Sequence, residues 1–143
     1  MATTRAQVLE FLRGHSLAVQ ASVSPEQRPQ AAVVGFVITD AFELFFDTTG
    51  ATRKAANLRA NAHAAFVIGG LGDEAATVQY EGITDEPMGH ELAALKALYF
   101  SRFPDGPNRA SWPEIAYFRV RPRWLRFSDY AQAPPEVTEF SFD

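Results

Sequence analysis

The 143-residue chain contains no cysteine, which excludes a disulfide framework, a thiolate nucleophile and a zinc-ribbon site. Histidine is scarce: only His15, His63 and His90 occur. No two of them have a spacing that puts both on one helix or strand face, so no metal centre is expected. Ser22, Ser101, Ser111 and Ser128 have neither a neighbouring histidine nor a Gly-x-Ser-x-Gly turn, and hydrolase chemistry has no support. No apolar run is long enough to span a bilayer, and the N-terminal residues lack the apolar stretch of a signal peptide. A surplus of positive charge is missing too. The net charge is −4 and the pI about 5.3, which argues against a broad nucleic-acid or anionic-membrane surface. We therefore expect a cytoplasmic protein with neither nucleic acid nor membrane as partner.

Hydrophobic residues make up 47% of the chain, and twelve phenylalanines fall mostly on strand-like segments, which favours a β-rich core. The length suits one domain, 1–143, able to bury roughly two thirds of its unfolded surface. Thr4 and Gln7 form a capping box ahead of an apolar stripe at Val8, Leu9 and Leu12, and Gly14 can close that helix. From Leu17 to Ser24 the residues alternate, with Val19, Ala21 and Val23 on one side and Gln20, Ser22 and Ser24 on the other. After a turn at residues 25–29, the apolar run from Gln30 to Ile38 reads as a central strand buried on both faces. It forms a hairpin with the strand Phe42–Phe46. Strands follow at Ala64–Ile68 and Ala75–Thr84, where Gly82 marks a bulge or a close backbone approach. A helix from Pro87 carries Leu92, Leu95, Leu98 and Tyr99. Two further strands, Ile115–Val120 and Trp124–Phe127, hinge at Pro122, and the tail from Ala131 wraps the surface or a partner. Six or seven strands with hairpin-length connections suggest an antiparallel barrel that closes its own edges, covered by two or three short helices.

The segment Thr48-Thr49-Gly50-Ala51-Thr52-Arg53-Lys54 carries the chemistry. It leaves an apolar strand and opens a helix through Asn61, with Thr52 as a hydroxyl N-cap and two cations in the first turn. A helix N-terminus presents partial positive charge and disfavours each cation by about 0.3–1 kcal/mol. An anion at that spot resolves the conflict, because free N–H groups, hydroxyls and two cations converge on it. The bland alternatives are cations waving in water or paired with a carboxylate such as Asp47.

Together with the paired strands before it and the late segment Tyr117-Phe118-Arg119-Val120-Arg121-Pro122-Arg123-Trp124-Leu125-Arg126-Phe127, this motif resembles the FMN-binding split-barrel proteins related to pyridoxamine 5′-phosphate oxidase. The resemblance covers most of the chain. It implies a mainly β, Greek-key antiparallel split barrel, and a homodimer with FMN in clefts at the interface. Arg53 and Lys54 would hold the FMN phosphate and Thr52 would add a hydroxyl. Thr48 and Thr49 would lie beside the flavin or its ribityl chain, and Thr77 would reach polar atoms of the flavin.

The departures bear on function. Where the vitamin-forming oxidase has an Arg for the FMN phosphate and a Lys for the substrate phosphate, this chain has Gln30 and Gly35. Ser128 stands where a flavin-facing Trp is found, and the terminal Arg-x-His segment has no counterpart. Vitamin B6 oxidation is therefore not expected. Trp112 and Trp124 read as packing residues, with stacking on a flavin the alternative. Arg119, Arg121, Arg123 and Arg126 read as a solvated or salt-bridged strand face, with contact of one or two of them to the cofactor of the paired subunit or an anionic substrate the alternative. The expectation is a flavin-dependent oxidoreductase exchanging hydride at N5 with a small substrate whose identity the sequence does not give. A deazaflavin-dependent enzyme is the first alternative, and a non-catalytic flavin- or haem-binding dimer the second.

Overall fold

The structure, a computed structural model, describes residues 2–143. Helix α1 (Arg5–Arg13) begins at the expected capping box: Thr4 accepts from the Gln7 N–H, and the Gln7 side chain accepts from the Thr4 N–H. Its Val8 and Leu12 are fully buried. Strand β1 (Leu17–Val23) pairs with β2 (Pro29–Gly35), and β3 (Val37–Ile38) with β4 (Leu44–Thr49). Helix α2 (Arg53–Ala60) then leads to the hairpin of β5 (His63–Gly69) and β6 (Ala76–Asp85). Helices α3 (Gly89–Arg102) and α4 (Gly106–Arg109) precede a last hairpin, β7 (Ile115–Asp129) with β8 (Glu136–Ser141).

All pairings are antiparallel, and the strands run in the order β2-β1-β5-β6-β7-β4-β3, with β8 along the C-terminal half of β7. The two ends of that path, β2 and β3, are consecutive in the chain and separated only by Phe36. The sheet therefore curls until its ends meet at a covalent joint. No ladder joins β2 to β3, so the barrel is split and does not close its edges by hydrogen bonding.

The phenylalanines fill this curl. Phe36, Phe45, Phe46, Phe66 and Phe118 are almost wholly buried, each contributing about 1.5–3 kcal/mol by leaving water. Phe46 stacks on Phe118 at 5.7 Å, and Phe66 meets Tyr80 edge-on at 5.8 Å. The Tyr80 hydroxyl donates to the Phe42 carbonyl at 2.6 Å, and burial raises its pKa well above the ordinary phenol range.

Several elements differ from the sequence expectation. The strand buried on both faces is β4, with the barrel interior on one side and Tyr99 and Tyr117 against Phe45 on the other. By contrast β2 is an edge strand with Ala31, Ala32 and Val33 exposed. In β1 the alternation holds, but the polar row is the buried one: Gln20, Ser22 and Ser24 face inward. The two expected late strands are one, β7. Its residues 115–120 pair with β4 and 124–129 with β8, so Pro122 falls where one neighbour has ended and the next has not begun. On the other edge it lies opposite Gly82, at the expected bulge. The tail is strand β8, and the third helix starts at Gly89 behind an N-cap at Met88, not at Pro87. The helices number four among the described residues, the last a four-residue turn, and the strands eight.

Candidate anion site and outer sheet face

Strand β4 ends at Thr49, and the chain turns through Gly50 and Ala51 into the N-cap at Thr52. The Thr52 hydroxyl accepts from the Ala55 N–H at 3.1 Å and donates to the Thr49 carbonyl at 2.9 Å. The Thr48 hydroxyl lies 3.1 Å from it. Both hydroxyls thus hold the turn in shape, a Ser/Thr capping arrangement that fixes where the helix begins. Helix α2 packs its buried Ala55, Asn57 and Leu58 against the barrel. The Asn57 amide donates to Ser22 Oγ at 3.0 Å and to Gln30 Oε1 at 2.8 Å, pinning the helix to β1 and β2 together.

This docking leaves a pocket of about 330 Å³ at the start of α2. Gln20 and Ser22 line it from β1, Gln30 and Ala32 from β2, and Thr52, Arg53 and Lys54 from α2. Arg53 and Lys54 have no ion-pair partner among the described residues. Lys54 is half-buried, and loss of water around its ammonium lowers its pKa below the ordinary lysine value, with nearby Asp47 partly opposing the shift. Asp47 itself is engaged elsewhere: it accepts from Tyr99 Oη at 3.0 Å and from Arg109 Nε at 2.9 Å. Pairing with Asp47 therefore does not account for either cation. Gln20, only 2% exposed, has no hydrogen-bond partner for either amide atom among the described residues. Two cations at a helix N-terminus together suit a phosphate monoester.

Of the six residues singled out from the sequence, Thr52, Arg53 and Lys54 line this pocket, while Thr48 and Thr49 stand behind it in the turn. Thr77 is elsewhere. Its hydroxyl donates to the Gly69 carbonyl at 3.0 Å, and it lines a groove of about 290 Å³ with Val19, Val67 and Gln79. That groove lies on the outer face, where the cross-strand rows Val33–Val19–Val67–Gln79 and Ala31–Ala21–Ala65–Glu81 run over four strands. Val33 and Val67 on this face are 63% and 40% exposed. The adjoining groove, about 370 Å³, is lined by His63, Glu81 and Arg123 among others.

In the basic run of β7, Arg119 and Arg121 are paired, while Arg123 and Arg126 have no ion pair among the described residues. Arg119 is buried between Asp85, at 2.7 Å, and Glu91, and these carboxylates raise its pKa further. Arg121 approaches Asp85 at 3.6 Å, and Trp124 Nε1 donates to Glu139 at 2.9 Å. Trp112 is exposed. His15 is held between the Phe11 carbonyl and Glu74, and no metal-binding cluster occurs among the described residues. Sequence reasoning does not single out Gln20, Ser22 and Asn57. Their only signal is polarity at positions whose burial depends on where α2 docks.

Residues 4–129 match the family model described as pyridoxamine 5′-phosphate oxidase. No curated protein matches the sequence significantly. Among solved structures, a heme-binding protein from Mycobacterium smegmatis is similar with a TM-score of 0.84 and 16% identity, over 99% of this chain and 59% of that one. The present chain thus spans little more than half the length of that protein. The heme storage protein HutZ from Vibrio cholerae gives 0.75 and 15%, over 99% of this chain and 95% of that one. An F420 reductase gives 0.65 and 22%, over 81% and 94% respectively. At these identities the likeness concerns the fold, a curled antiparallel sheet with a few short helices. The family match over most of the chain, on that same fold, makes this protein a member of the pyridoxamine 5′-phosphate oxidase family.

Proposed function

We propose that the protein is an FMN-binding oxidoreductase that acts as a homodimer on a small molecule other than a vitamin B6 phosphate. The observation that carries this is the pair of unpaired cations, Arg53 and Lys54, in the first turn of α2 beside the buried amide of Gln20. In this reading Arg53, Lys54 and the α2 N–H groups hold the phosphate. The isoalloxazine ring, once bound, supplies hydride exchange at N5. The chain's own groups bind and orient it, and no side-chain acid or base is required.

The outer face supports the dimer in this reading. Thr77 lies on that face and Arg53 and Lys54 on the inner side of β1 and β2, so a cofactor meeting both kinds of residue draws them from two copies. A second chain on the face would also cover Val19, Val33 and Val67, an apolar surface of the kind that marks interaction sites. Family membership supports the cofactor class, and Gln30 and Gly35 in place of cations argue against a pyridoxine phosphate substrate.

Two other readings have specific support. A deazaflavin with its longer anionic tail would find Arg123, which has no ion pair among the described residues and borders the outer groove. A haem-binding dimer without turnover would draw on His63, exposed beside the same groove. Purification, a visible spectrum and mass spectrometry of the released cofactor separate the three. Bound FMN, followed by reduction with a nicotinamide donor and oxygen uptake, supports the enzyme. An intense haem band, a deazaflavin mass, or failure to take up added FMN refutes it.

A further inference from the structure

The two grooves of the outer face share Ala21, Ala65 and Glu81, so they form one furrow with Thr77 and Gln79 at one end and His63 and Arg123 at the other. The second end, about 370 Å³, has room for a small ligand of its own. Its floor is apolar, because Ala21 and Ala65 face each other across the β1–β5 ladder. Three ionisable side chains stand around that floor: His63, Glu81 and Arg123. None of them has an ion pair among the described residues. The bulge is what places Arg123 there. Glu81 pairs with Trp124 and Gly82 with Pro122, so Arg123 is the extra residue and has no partner on β6. An extra residue of this kind re-aims its side chain, a device frequent beside binding sites. From the β8 side the Phe142 N–H donates to the Arg123 carbonyl at 3.0 Å, which fixes the backbone of the bulge.

Glu81 and Arg123 bring opposite charges into this pocket from neighbouring strands, yet they do not pair with each other. An anion alone would be repelled by Glu81, and a cation alone by Arg123. A molecule that carries both charges meets each with its opposite. We propose that this end of the furrow binds a small flat amino carboxylate in its zwitterionic form. Arg123 takes the carboxylate, for which the guanidinium fork offers two parallel N–H donors. Glu81 accepts from the ammonium, and the apolar body lies over Ala21 and Ala65. In the flavin reading Thr77 marks the cofactor's end of the furrow, and the zwitterion beside it is the enzyme's substrate. That role rests on the flavin reading, whereas the charge preference of the pocket stands apart from it.

The test uses the full-length protein with FMN added and three probes of one shape. 4-(Aminomethyl)benzoate carries both charges, 4-methylbenzoate only the carboxylate, and benzylamine only the ammonium. The ring resonances of His63 report binding by NMR, with His15 and His90, which do not line the pocket, as controls. The zwitterion should bind about tenfold more tightly than either singly charged probe, the discrimination expected for one partly exposed charge-assisted contact. Arg123→Gln should weaken the zwitterion and 4-methylbenzoate about tenfold and leave benzylamine unchanged. Glu81→Gln should weaken the zwitterion and benzylamine and spare 4-methylbenzoate. Both positions are exposed, so both variants should melt with the parent. Equal affinity for the three probes, no binding of the zwitterion, or variants that weaken all three alike or none overturns the inference. So does displacement of FMN by the zwitterion, which would put the cofactor at this end of the furrow. FMN uptake without any charge preference among the probes removes the inference and leaves the flavin reading standing. Charge-selective binding by a protein that takes up no FMN removes the flavin reading, and the substrate role with it, and leaves the zwitterion pocket standing.

Discussion

Replacing Arg53 and Lys54 together by alanine should separate binding from folding. Each charge-assisted hydrogen bond to a phosphate contributes about 1.5–3 kcal/mol. Arg53 is exposed and belongs at the low end, whereas half-buried Lys54, already stripped of part of its water, belongs at the high end. Their combined loss of about 4 kcal/mol corresponds to roughly a thousandfold weaker FMN binding. The free protein should respond in the opposite sense. Both cations oppose the α2 dipole at about 0.3–1 kcal/mol each, and Lys54 also carries a desolvation cost, so the variant should melt at or above the parent temperature. Flavin fluorescence titration reads the first quantity and thermal unfolding the second. Lys54 adds a pH signature. Its pKa in the free protein lies below the ordinary lysine value, and a phosphate partner would raise it. The Lys54 contribution to affinity is therefore fully present below the free-state pKa and is lost as the pH rises through it towards the bound-state value. The cost that the buried ammonium imposes on folding runs the other way: it is present below the folded-state pKa and relieved as the pH rises towards the unfolded value. An FMN dissociation constant in the double variant equal to that of the parent would end the case for a phosphate at this helix.

Three further outcomes test the framework around the site. Gly82→Ala would bring a Cβ within 2.5 Å of the Arg121 carbonyl and 2.6 Å of Val120 Cγ1; because a ladder carbonyl cannot withdraw, unfolding titrations should show a loss of about 2–3 kcal/mol. Val33→Lys, at a 63% exposed position on the outer face, should convert a dimer to a monomer in sedimentation without lowering monomer stability. A dimer unaffected by the change would place the interface elsewhere. Asp47→Asn removes the charge that Tyr99 and Arg109 share in a largely buried setting and should cost about 3 kcal/mol, or roughly 10 °C in melting temperature.

The parts legible in the sequence are those with local causes. A hydroxyl at position 52 followed by a helix-compatible run sets the N-cap whatever packs around it, and the Thr4–Gln7 box behaves in the same way. Gly82 is legible because a residue without a side chain weakens a strand, and the loss is offset where the backbone bulges or a neighbour comes too close for a Cβ. What stays hidden depends on partners distant in sequence. The apolar run in β2 has the same pattern whether a strand is buried between layers or lies at an edge with one face awaiting another surface. The inward-facing Ser22 finds its partner only in Asn57 of α2, more than thirty residues later in the chain. Pro122 reads as a break because the interval between β4 and β8 that tolerates it exists only once β7 has three neighbours. The strand Glu136–Ser141 pairs with β7, yet its side chains stay half exposed, so it lacks the apolar alternation that marks other strands.

The one-residue joint at Phe36 has a consequence for how the chain acquires its shape. Four hairpins, β1–β2, β3–β4, β5–β6 and β7–β8, each need only local closure. The first two are already tethered through Phe36 when only the first third of the chain has been synthesised. The outermost strands of the finished sheet are therefore neighbours in the nascent chain, and the later hairpins must insert between them. The β1–β5 and β4–β7 ladders that complete this insertion join segments far apart in sequence, the kind of pairing that slows folding to milliseconds or seconds. The β4–β7 ladder that seats the α2 turn can form only after β7 has been made.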